Sequence, residues 1–509
     1  MNSKINIGSA IQGSAIKLNE ASLPHFVNNV RIPQYDRRQL TNGIVHIGVG
    51  GFHRAHQAVY LDRYFHQTRD RRWGICGVGL MEQDKRLRDA LQTQDCLYTL
   101  VERDPAGDSA QIIGSINQYL FAPDNRQAVI AALAAPECRI VTLTITEAGY
   151  YYIEGSGNFD VDHPTIQHDL RHPEDPIGTF GFLSVALERR RQQGLPPFTV
   201  LSCDNLQGNG TITRNMLSAF AELRDPALGR WVAENVAFPN SMVDRITPVT
   251  TELDRRMVTE QFGIDDDAPV VAESFLQWVI EDSFSAGRPD WEMVSVQMTS
   301  DVHPYELIKI RLLNASHVLI GYLGLLAGYD YVHEVMADPV FRQAVINLME
   351  EVTSVLQPVP GIDLGDYKKT LVARFANPKI KDQLPRLCLN GSAKLPKFIL
   401  GSLRDQLRRG GKIEYLSLAV AAWCRYLGGQ DDQGGAIAIN DPLADLLKQQ
   451  TRIGGLDPKP LLSLFEIFGE DLPQEPRFVE AVTDALGKLY KIGSRATLIE
   501  LAPRNQVAR

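Results

Sequence analysis

The first half of the chain alternates short apolar runs with segments whose apolar residues recur at helical spacing. Apolar runs at 43–48, 73–80, 139–146 and 198–203 predict strands, because each is short and bounded by polar or turn residues. Residues 54–72 predict a helix, since Ala58, Leu61 and Phe65 are three and four residues apart, and 180–193 predict another. Strands separated by helices indicate βαβ crossovers, so we expect an α/β fold with a parallel sheet.

The second half of the chain has a different pattern. From about residue 300, long helical periodicities dominate and loops rich in Gly, Pro and Asp separate them. The predicted helices are 305–328, 338–357, 397–410, 415–427, 441–450 and 475–492. The segment 238–300 is ambiguous, and we place the boundary near 240, with residues 1–240 forming a parallel-sheet domain preceded by an N-terminal arm and residues 241–509 a mostly α-helical domain.

Composition and charge narrow the possible partners. The chain has 509 residues, 44% of them hydrophobic, and its formal net charge of −9 predicts no binding to nucleic acid or to an anionic membrane surface. The six cysteines form no CxxC pair, so we expect neither a zinc site nor a disulfide framework. The first 17 residues lack the apolar core of a signal peptide and the longest apolar run, 318–328, is too short to span a membrane, so we expect a cytoplasmic protein.

A glycine-rich turn follows the first predicted strand. Gly48, Gly50 and Gly51 are followed by Phe52 and His53, and glycines at these positions let a pyrophosphate approach the backbone at the start of a helix. The third glycine of the usual GxGxxG pattern is replaced by His53. The turn therefore predicts a Rossmann-type dinucleotide site, and the alternative is a purely structural strand-to-helix turn.

A carboxylate stands just after the second predicted strand. Glu82 is at the position where a Rossmann fold contacts the ribose hydroxyls of the adenosine, and its charge would repel the additional phosphate of NADP. This favours NAD as the cofactor, although Lys85 and Arg86 weaken the preference. The alternative is that the Glu82 carboxylate only stabilises the partly positive N-terminus of the next helix.

Three polar residues of the segment 309–317 lie on one part of a predicted helix. At about 100° per residue, Lys309, His317 and Asn314 lie near 0°, 80° and 140° among apolar neighbours. Such surroundings lower the pKa of a lysine and allow it to act as a base. The alternative is a solvated lysine beside an Asn and a His that bond to neighbouring backbone.

Two further polar residues are candidates for the site, and one tyrosine is not. Glu147 and Asn205 each follow a predicted strand, and at the carboxyl ends of parallel strands they would face a ligand. Alone, either residue could be a loop cap. Tyr305 and Lys309 form the YxxxK pattern of short-chain dehydrogenases, but the glycine turn and the chain length do not match that class, so we expect Tyr305 to be a core or rim aromatic.

Several motifs together resemble the polyol-specific long-chain dehydrogenases, the family of mannitol 2-dehydrogenase. The matching motifs extend from about residue 40 to 495, and a histidine at the third glycine position is normal in this family. They are GVGGFHRAHQ (48–57), TITEAGYY (144–151), LSCDN (201–205), MVDRITP (242–248), ESFLQWVIED (273–282), KIRLLNASH (309–317) and NGSAKLPKF (390–398).

The resemblance implies a role for each candidate residue. Lys309 would be the general base, and Asn205 and Asn314 would hold the reacting oxygen. The remaining assignments are His317 for substrate hydroxyls, Asp244 for the nicotinamide side, Glu147 for a proton path, and Arg386 and Lys394 for the far end of the sugar. The resemblance also implies NAD as the cofactor, no metal and a monomer.

The substrate is the least determined part of the prediction. The residues after Glu147 resemble those of the mannitol enzymes, which favours D-mannitol and D-fructose. Fructuronate reductase, D-arabinitol dehydrogenase and sorbitol dehydrogenase activities remain open on the same scaffold. Outside this class, a Rossmann methyltransferase would leave 309–317 without a role, and a non-catalytic dinucleotide-sensing protein would need an activity assay to exclude.

Overall fold

The computed structural model describes residues 15–153 and 157–502, and the chain divides into two compact units, Met1–His303 and Pro304–Arg509. The strands, all in the first unit, are β1 (Ile16–Lys17), β2 (Ile44–Ile47), β3 (Ile75–Gly79), β4 (Tyr98–Asp104), β5 (Gly107–Ile113), β6 (Ile116–Phe121), β7 (Ile140–Leu143), β8 (Thr199–Ser202), β9 (Ser241–Asp244), β10 (Ile264–Asp265), β11 (Val270–Glu273), β12 (Gln277–Glu281) and β13 (Gln297–Thr299).

The α-helices of the first unit are short and are interspersed with these strands. They are α1 (Leu23–Phe26), α2 (Gly51–Ala55), α3 (Gln57–Gln67), α4 (Lys85–Thr93), α5 (Arg126–Ala134), α6 (Pro164–Arg171), α7 (Thr179–Gln192), α8 (Asn209–Arg224), α9 (Pro226–Asn235) and α10 (Glu252–Phe262).

The second unit is helical throughout its described residues. Its α-helices are α11 (His303–Ile308), α12 (Ala315–Leu326), α13 (Val332–Ala337), α14 (Pro339–Thr353), α15 (Leu364–Phe375), α16 (Leu384–Leu387), α17 (Gly391–Leu395), α18 (Gly401–Arg409), α19 (Glu414–Tyr426), α20 (Ala444–Gly454), α21 (Lys459–Leu462), α22 (Phe465–Phe468) and α23 (Pro476–Leu501), and two π-helical segments lie at Lys309–Asn314 and Pro396–Leu400.

The main sheet of the first unit is parallel. Its order is β6-β3-β2-β7-β8, and all four pairings are parallel, which is the arrangement of a Rossmann-type sheet. Successive residues point to opposite faces, so that Ile44 packs into one core cluster while Val45 and Ile47 pack into the other. Because both faces are buried, these strands are continuous apolar runs in the sequence, and this is why they were recognisable.

Three smaller sheets complete the first unit. The orders are β11-β4-β5, β13-β12-β9 and β1-β10. The strand β1 belongs to the N-terminal arm, and Leu18, Leu23 and Phe26 of this arm are buried in a cluster with Phe262 and Ile264. The arm is therefore part of the packed unit, and the antiparallel pairing of β4 with β5 was not recognised from the sequence.

The boundary between the units lies later than the sequence pattern placed it. We expected a change near residue 240, whereas the compact units meet between His303 and Pro304. The physical reason is pairing, because β9 and β12 form one sheet and β11 pairs with β4. Residues 241–303 are thus held in the first unit by strand pairing that is distant in sequence.

Two predicted helices differ in detail from the observed ones. The predicted helix 54–72 is two helices, because His56, with φ −124° and ψ −88°, interrupts it between α2 and α3, and α3 ends at Gln67. The predicted helix 305–328 contains the π-helical segment Lys309–Asn314 between α11 and α12. In the second unit, α12 and α19 are buried on nearly all sides, as expected for core helices.

Candidate functional site

Four candidate groups lie at the same edge of the main sheet. The glycine turn follows β2, Glu82 follows β3, Glu147 follows β7 and Asn205 follows β8. Because these four strands are neighbours and parallel, their carboxyl ends share one edge. This edge is where open α/β sheets bind their ligands.

The glycine turn has the geometry that a dinucleotide site requires. Gly48 has φ +92°, and a Cβ atom at this position would lie 2.2 Å from the carbonyl oxygen of Thr144. At Gly50 a Cβ atom would meet only the carbonyl oxygen of Gly48, at 3.8 Å, so the space beside this backbone is open. A side chain at Gly50 would occupy the space in which a pyrophosphate approaches the turn, and the residues present therefore fit bound NAD.

His53 takes the place of the third glycine by stacking on another histidine. The rings of His46, on β2, and His53, on α2, lie 3.4 Å apart at 12° to each other, and both side chains are fully buried. Burial lowers the pKa of His46 to about 3 and lowers the pKa of His53 well below its usual range, so both rings are neutral at physiological pH. In the usual pattern a glycine lets the helix pack close to the strand; here two stacked rings fill that space.

The His46 ring also fixes the first glycine of the turn. Its Nδ1 lies 2.7 Å from the Thr142 hydroxyl, and its Nε2 lies 3.0 Å from the Thr144 hydroxyl. The Thr144 hydroxyl in turn donates to the carbonyl oxygen of Gly48 at 2.7 Å. The orientation of this peptide group is thereby determined by side chains from two strands.

A cavity of about 410 Å³ adjoins the turn within the first unit. Gly50, Gly51 and Phe52 line one side of it, and Arg54 and Arg86 are among the other lining residues. Arg255 and Asp267 also line the cavity, so three guanidinium groups and one carboxylate lie beside the open glycine backbone. This excess of positive charge suits the phosphates of a dinucleotide.

Glu82 begins a short 3-10 helix directly after β3. This helix spans Glu82–Asp84, and Asp84 accepts a hydrogen bond from the backbone N–H of Met81 at 3.0 Å. Asp84 is thus used in closing the turn, whereas the Glu82 side chain is exposed at the sheet edge. The geometry is compatible with the ribose contact expected for Glu82.

The Asp204 carboxylate connects the loop that carries Glu147 to the strand end that carries Asn205. Asp204 follows β8 and accepts hydrogen bonds from the backbone N–H groups of Ile145 and Thr146, at 2.9 and 3.0 Å, and from the Tyr150 hydroxyl at 2.6 Å. Burial raises the pKa of the Asp204 carboxyl. The loop that carries Glu147 is therefore attached to the strand end that carries Asn205.

Asp244 lies in a separate sheet of the same unit. It is the last residue of β9, it is buried, and it pairs in register with Gln277 of β12. The strand is attached to the main sheet, because the Ser241 hydroxyl donates to the carbonyl oxygen of Ser202 at 2.6 Å. Asp244 is thus held by strand pairing.

Lys309, Asn314 and His317 lie on one helix, but the predicted α-helical spacing is wrong for this segment. Residues Lys309–Asn314 form a π-helix, in which each turn holds about one residue more than the 3.6 of an α-helix. One extra residue moves Asn314 from about 140° to about 40° from Lys309, and His317 from about 80° to about −20°. The π-turn brings the three residues onto one narrow face.

The residues that follow Lys309 on this helix make contacts with other parts of the second unit. Arg311 pairs with Asp405 at 2.6 Å and donates to the carbonyl oxygen of Val355 at 3.2 Å. Leu312 and Leu313 are buried, and the ring of His317 lies 4.8 Å from that of Phe375. Lys309, Asn314 and His317 are each partly exposed.

Tyr305 is a core residue, as expected from the discounted YxxxK pattern. It is only 4% exposed, and its hydroxyl donates to the carbonyl oxygen of Pro360 at 3.1 Å.

Arg386 and Lys394 lie together in the second unit. Lys394 donates to the carbonyl oxygens of Leu387 and Arg386, at 2.9 and 3.5 Å, and Arg386 makes two hydrogen bonds to the buried carboxylate of Asp382, at 2.8 and 2.6 Å. Much of the Arg386 charge is thus balanced within the protein.

Three residues that support the site were missed by sequence reasoning. Asp204 precedes Asn205 in LSCDN, and an acidic residue at a strand end was the available signal. Asp382 is four residues before Arg386, but α16 begins only at Leu384, so helical spacing did not predict this ion pair. His46 had no signal, since a histidine inside an apolar strand does not indicate what its ring will contact.

The described residues also bear on metal binding, thiol chemistry and membrane spanning. Within residues 15–153 and 157–502, no group of three or more His, Cys, Asp or Glu side chains could hold a metal ion. All six cysteines lie in this part of the chain as free, buried thiols. No helix of the described residues has the length and apolar character needed to cross a bilayer.

Family models match both units. The model of the mannitol dehydrogenase Rossmann domain matches residues 42–293, and the model of the mannitol dehydrogenase C-terminal domain matches residues 301–490. The gap between the two models, 294–300, lies within ten residues of the division between the two compact units after His303.

Named relatives and solved structures match almost the whole chain. The chain is 52% identical to mannitol 2-dehydrogenase of Aspergillus fumigatus over 92% of its own length and 95% of that protein. A structure of Pseudomonas fluorescens mannitol 2-dehydrogenase in a ternary complex with NAD and D-mannitol is 48% identical, with a TM-score of 0.86 over 96% of this chain and 99% of that one. A substrate-free D-sorbitol dehydrogenase is 34% identical, with a TM-score of 0.87 over 95% of this chain and 100% of that one.

Proposed function

The chain belongs to the mannitol dehydrogenase family and is an NAD-dependent polyol dehydrogenase, and we propose that it interconverts D-mannitol and D-fructose without a metal ion. The reaction in the oxidative direction is D-mannitol and NAD⁺ to D-fructose, NADH and a proton. The observation that carries the proposal is the π-helical segment Lys309–Asn314. Its wider turn would put Lys309, Asn314 and His317 on one helix face.

We assign the base to Lys309. Bound NAD⁺ supplies the hydride acceptor at C4 of its nicotinamide. The neutral Lys309 amine takes the proton of the C2 hydroxyl, and the electron pair of the broken C–H bond leaves C2 as hydride. A base held in position in this way typically contributes a factor of about 10² to 10⁴ in rate.

We assign the stabilisation of the developing oxyanion to two amides. Asn205 and Asn314 each donate a hydrogen bond to the C2 oxygen as it loses its proton. Amides do not titrate, so they act equally at every working pH. Removing one such donor typically lowers kcat by a factor of about 10² to 10³.

The remaining assignments concern orientation and the proton. His317 orients the substrate hydroxyls, Asp244 shapes the nicotinamide side, and Glu147 lies on the path by which the proton leaves Lys309. Arg386 and Lys394 contact the far end of the sugar. Support for this set comes from the match of His317, Asp244, Glu147 and Lys394 to their family motifs and from the common sheet edge that Glu147 and Asn205 share. Arg386 lies outside these motifs and is assigned because it lies together with Lys394.

A neutral polyol is favoured over a sugar acid by the state of Arg386. A fructuronate reductase needs a cation for the substrate carboxylate, whereas the Arg386 guanidinium already makes two hydrogen bonds to the Asp382 carboxylate. A polyol hydroxyl needs only a single hydrogen bond from this group.

The proposal is tested by a spectrophotometric screen of the purified protein. D-mannitol, D-sorbitol and D-arabinitol are oxidised with NAD⁺ or NADP⁺, and D-fructose and D-fructuronate are reduced with the reduced cofactors, each with and without EDTA. We expect the highest kcat/KM for D-mannitol with NAD⁺ and no loss in EDTA. A higher value for D-fructuronate, or an EDTA-sensitive rate restored by a divalent cation, would contradict the proposal.

A further inference from the structure

The residue before Glu147 has a strained backbone. Thr146 has φ 61° and ψ 169°, a conformation that β-branched L residues rarely adopt. The short 3-10 helix Glu147–Tyr150 starts directly after it, and Tyr151, with φ 51°, ends that helix in the left-handed region. Strained backbone persists only where surrounding contacts hold it, and such contacts concentrate at functional sites.

The contacts that hold Thr146 come mainly from Asp204. One carboxylate oxygen accepts from the N–H of Thr146 at 3.0 Å, and the other accepts from the N–H of Ile145 at 2.9 Å and from the Tyr150 hydroxyl at 2.6 Å. Tyr150 is fully buried, and its hydroxyl lies 2.6 Å from that of Ser202. Both ends of the segment 145–150 are therefore attached to the strand end that carries Asp204.

We propose that Asp204 is a positioning residue for the reaction, whose carboxylate holds the strained Thr146 backbone and so fixes Glu147 relative to the strand end that carries Asn205. The inference rests on the proposed function, since it is there that the proton path is assigned to Glu147. Without the carboxylate, Thr146 relaxes to a negative φ, and this rotation reorients Glu147, which follows it directly.

The kinetic test uses Asp204→Asn and a matched control. The amide of Asn has one acceptor oxygen where the carboxylate has two, so it cannot accept from both N–H groups and the hydroxyl in this arrangement. The control is Asp169→Asn, because Asp169 is a buried carboxylate that also accepts from two consecutive N–H groups, those of Ile177 and Gly178, both at 2.8 Å. Both variants lose the same kind of interaction.

We expect Asp204→Asn to lower kcat for D-mannitol oxidation at least tenfold while KM for NAD⁺ changes less than threefold. We expect the two variants to lower Tm by similar amounts, whereas kcat of Asp169→Asn stays within twofold of the parent. A kcat within twofold for Asp204→Asn, or an equal loss in both variants, overturns the positioning role.

A second measurement tests the restraint on Thr146 without any turnover. Glycine adopts a positive φ freely, so in the parent, where the strain is enforced, Thr146→Gly should raise Tm. In the Asp204→Asn variant the strain is already released, and the same substitution should not raise Tm. Equal Tm shifts in the two backgrounds overturn the proposal. If the protein oxidised no polyol, the proposed function would fail, and this comparison would still decide whether Asp204 restrains the Thr146 backbone.

Discussion

Lys309 is the residue on which the proposed chemistry depends most directly. It lies at the start of the π-turn, between the buried Ile308 and the buried pair Leu312 and Leu313. Only the neutral amine can accept a proton, so the proposed mechanism requires Lys309 to be uncharged when the polyol binds.

We therefore predict that Lys309→Ala lowers kcat for D-mannitol oxidation by a factor of about 10² to 10⁴. The control is Lys369→Ala, since Lys369 belongs to the same unit and its side chain is 81% exposed. Initial rates under saturating D-mannitol and NAD⁺ measure the effect. Near-parental turnover of Lys309→Ala would remove the lysine from the mechanism.

Glu82 carries the prediction about cofactor choice. Its exposed carboxylate follows β3, at the position of the ribose contact in Rossmann-type sheets. We predict that Glu82→Gln raises kcat/KM for NADP⁺ relative to NAD⁺ by about tenfold, because a unit of repulsion toward the 2′-phosphate is removed and Arg86 remains nearby.

The matched control for Glu82 is Asp89→Asn. It removes one negative charge from α4, where Asp89 pairs with Lys85 at 2.8 Å and Arg88 at 2.6 Å, away from the strand end. Steady-state kinetics with both cofactors compare the two variants. An equal shift in preference for both would indicate a general effect of charge and would exclude a specific contact by Glu82.

The glycine turn and Glu82 could be located from the sequence because each depends on residue type at a fixed distance from a strand. The stacking of His46 on His53 and the contacts of Asp204 could not be located in this way. The two histidines are 7 positions apart, and the partners of Asp204 are 54 to 59 positions away from it. The sequence pattern carries no information about which of these residues meet.

The helix that carries Lys309 shows what a regular periodicity leaves out. On an ideal α-helix, Lys309, Asn314 and His317 would not share one narrow face, because Asn314 would lie about 140° from Lys309. The π-turn corrects this mismatch by one residue. A periodicity analysis assumes one helical repeat throughout, so it found the helix and could not find the turn that aligns its polar residues.

The helix α19 depends on a carboxylate from another helix. Its first residues follow Ile413, which has no side chain able to cap the helix, and Glu351 of α14 accepts from the backbone N–H groups of Tyr415 and Leu416 at 3.0 and 2.9 Å. Glu351 is only 6% exposed, and burial raises its pKa from 4.5 to about 7.

This raised pKa predicts a pH-dependent stability. Between pH 4.5 and about 7 the folded protein retains a proton that the unfolded chain releases, so the contribution of Glu351 to the free energy of unfolding falls as pH rises through this window. The fall is about 3 kcal/mol at most. Glu351→Gln does not titrate and should not show it.

We predict that the difference in unfolding free energy, Glu351→Gln minus parent, becomes more positive between pH 5 and pH 8. Denaturant unfolding at the two pH values measures it, and any constant cost of the amide cancels in the comparison. Glu350→Gln, which removes the neighbouring charge that pairs with Lys368, supplies the baseline. A difference that is the same at both pH values would contradict the burial of an ionisable Glu351.

The division of the whole chain at His303 has a consequence for its parts. The first unit contains its own core clusters on both faces of the main sheet and holds the glycine turn, whereas Lys309, Asn314 and His317 belong to the second unit. Compact units with their own cores can fold alone.

We predict that the fragment Met1–His303 binds NADH, seen as a shift in cofactor fluorescence, and does not oxidise D-mannitol. The control is the same fragment with Gly48→Ala, where the added Cβ would lie 2.2 Å from the carbonyl oxygen of Thr144 and distort the turn. Polyol oxidation by the fragment would show that the proposed base is dispensable.

The amino-acid pattern was sufficient for the fold class, the glycine turn, four of the five strands of the parallel sheet and the family motifs. These features depend on periodicity and on residue type at short separations, and both can be read directly from the sequence. The extent of the first unit, the π-turn, the stacked histidines and the strained Thr146 held by Asp204 emerged from the folded chain alone. Each depends on contacts between residues far apart in sequence or on a local departure from the ideal helix, and both arise only when the packed core selects among backbone conformations that the sequence leaves possible.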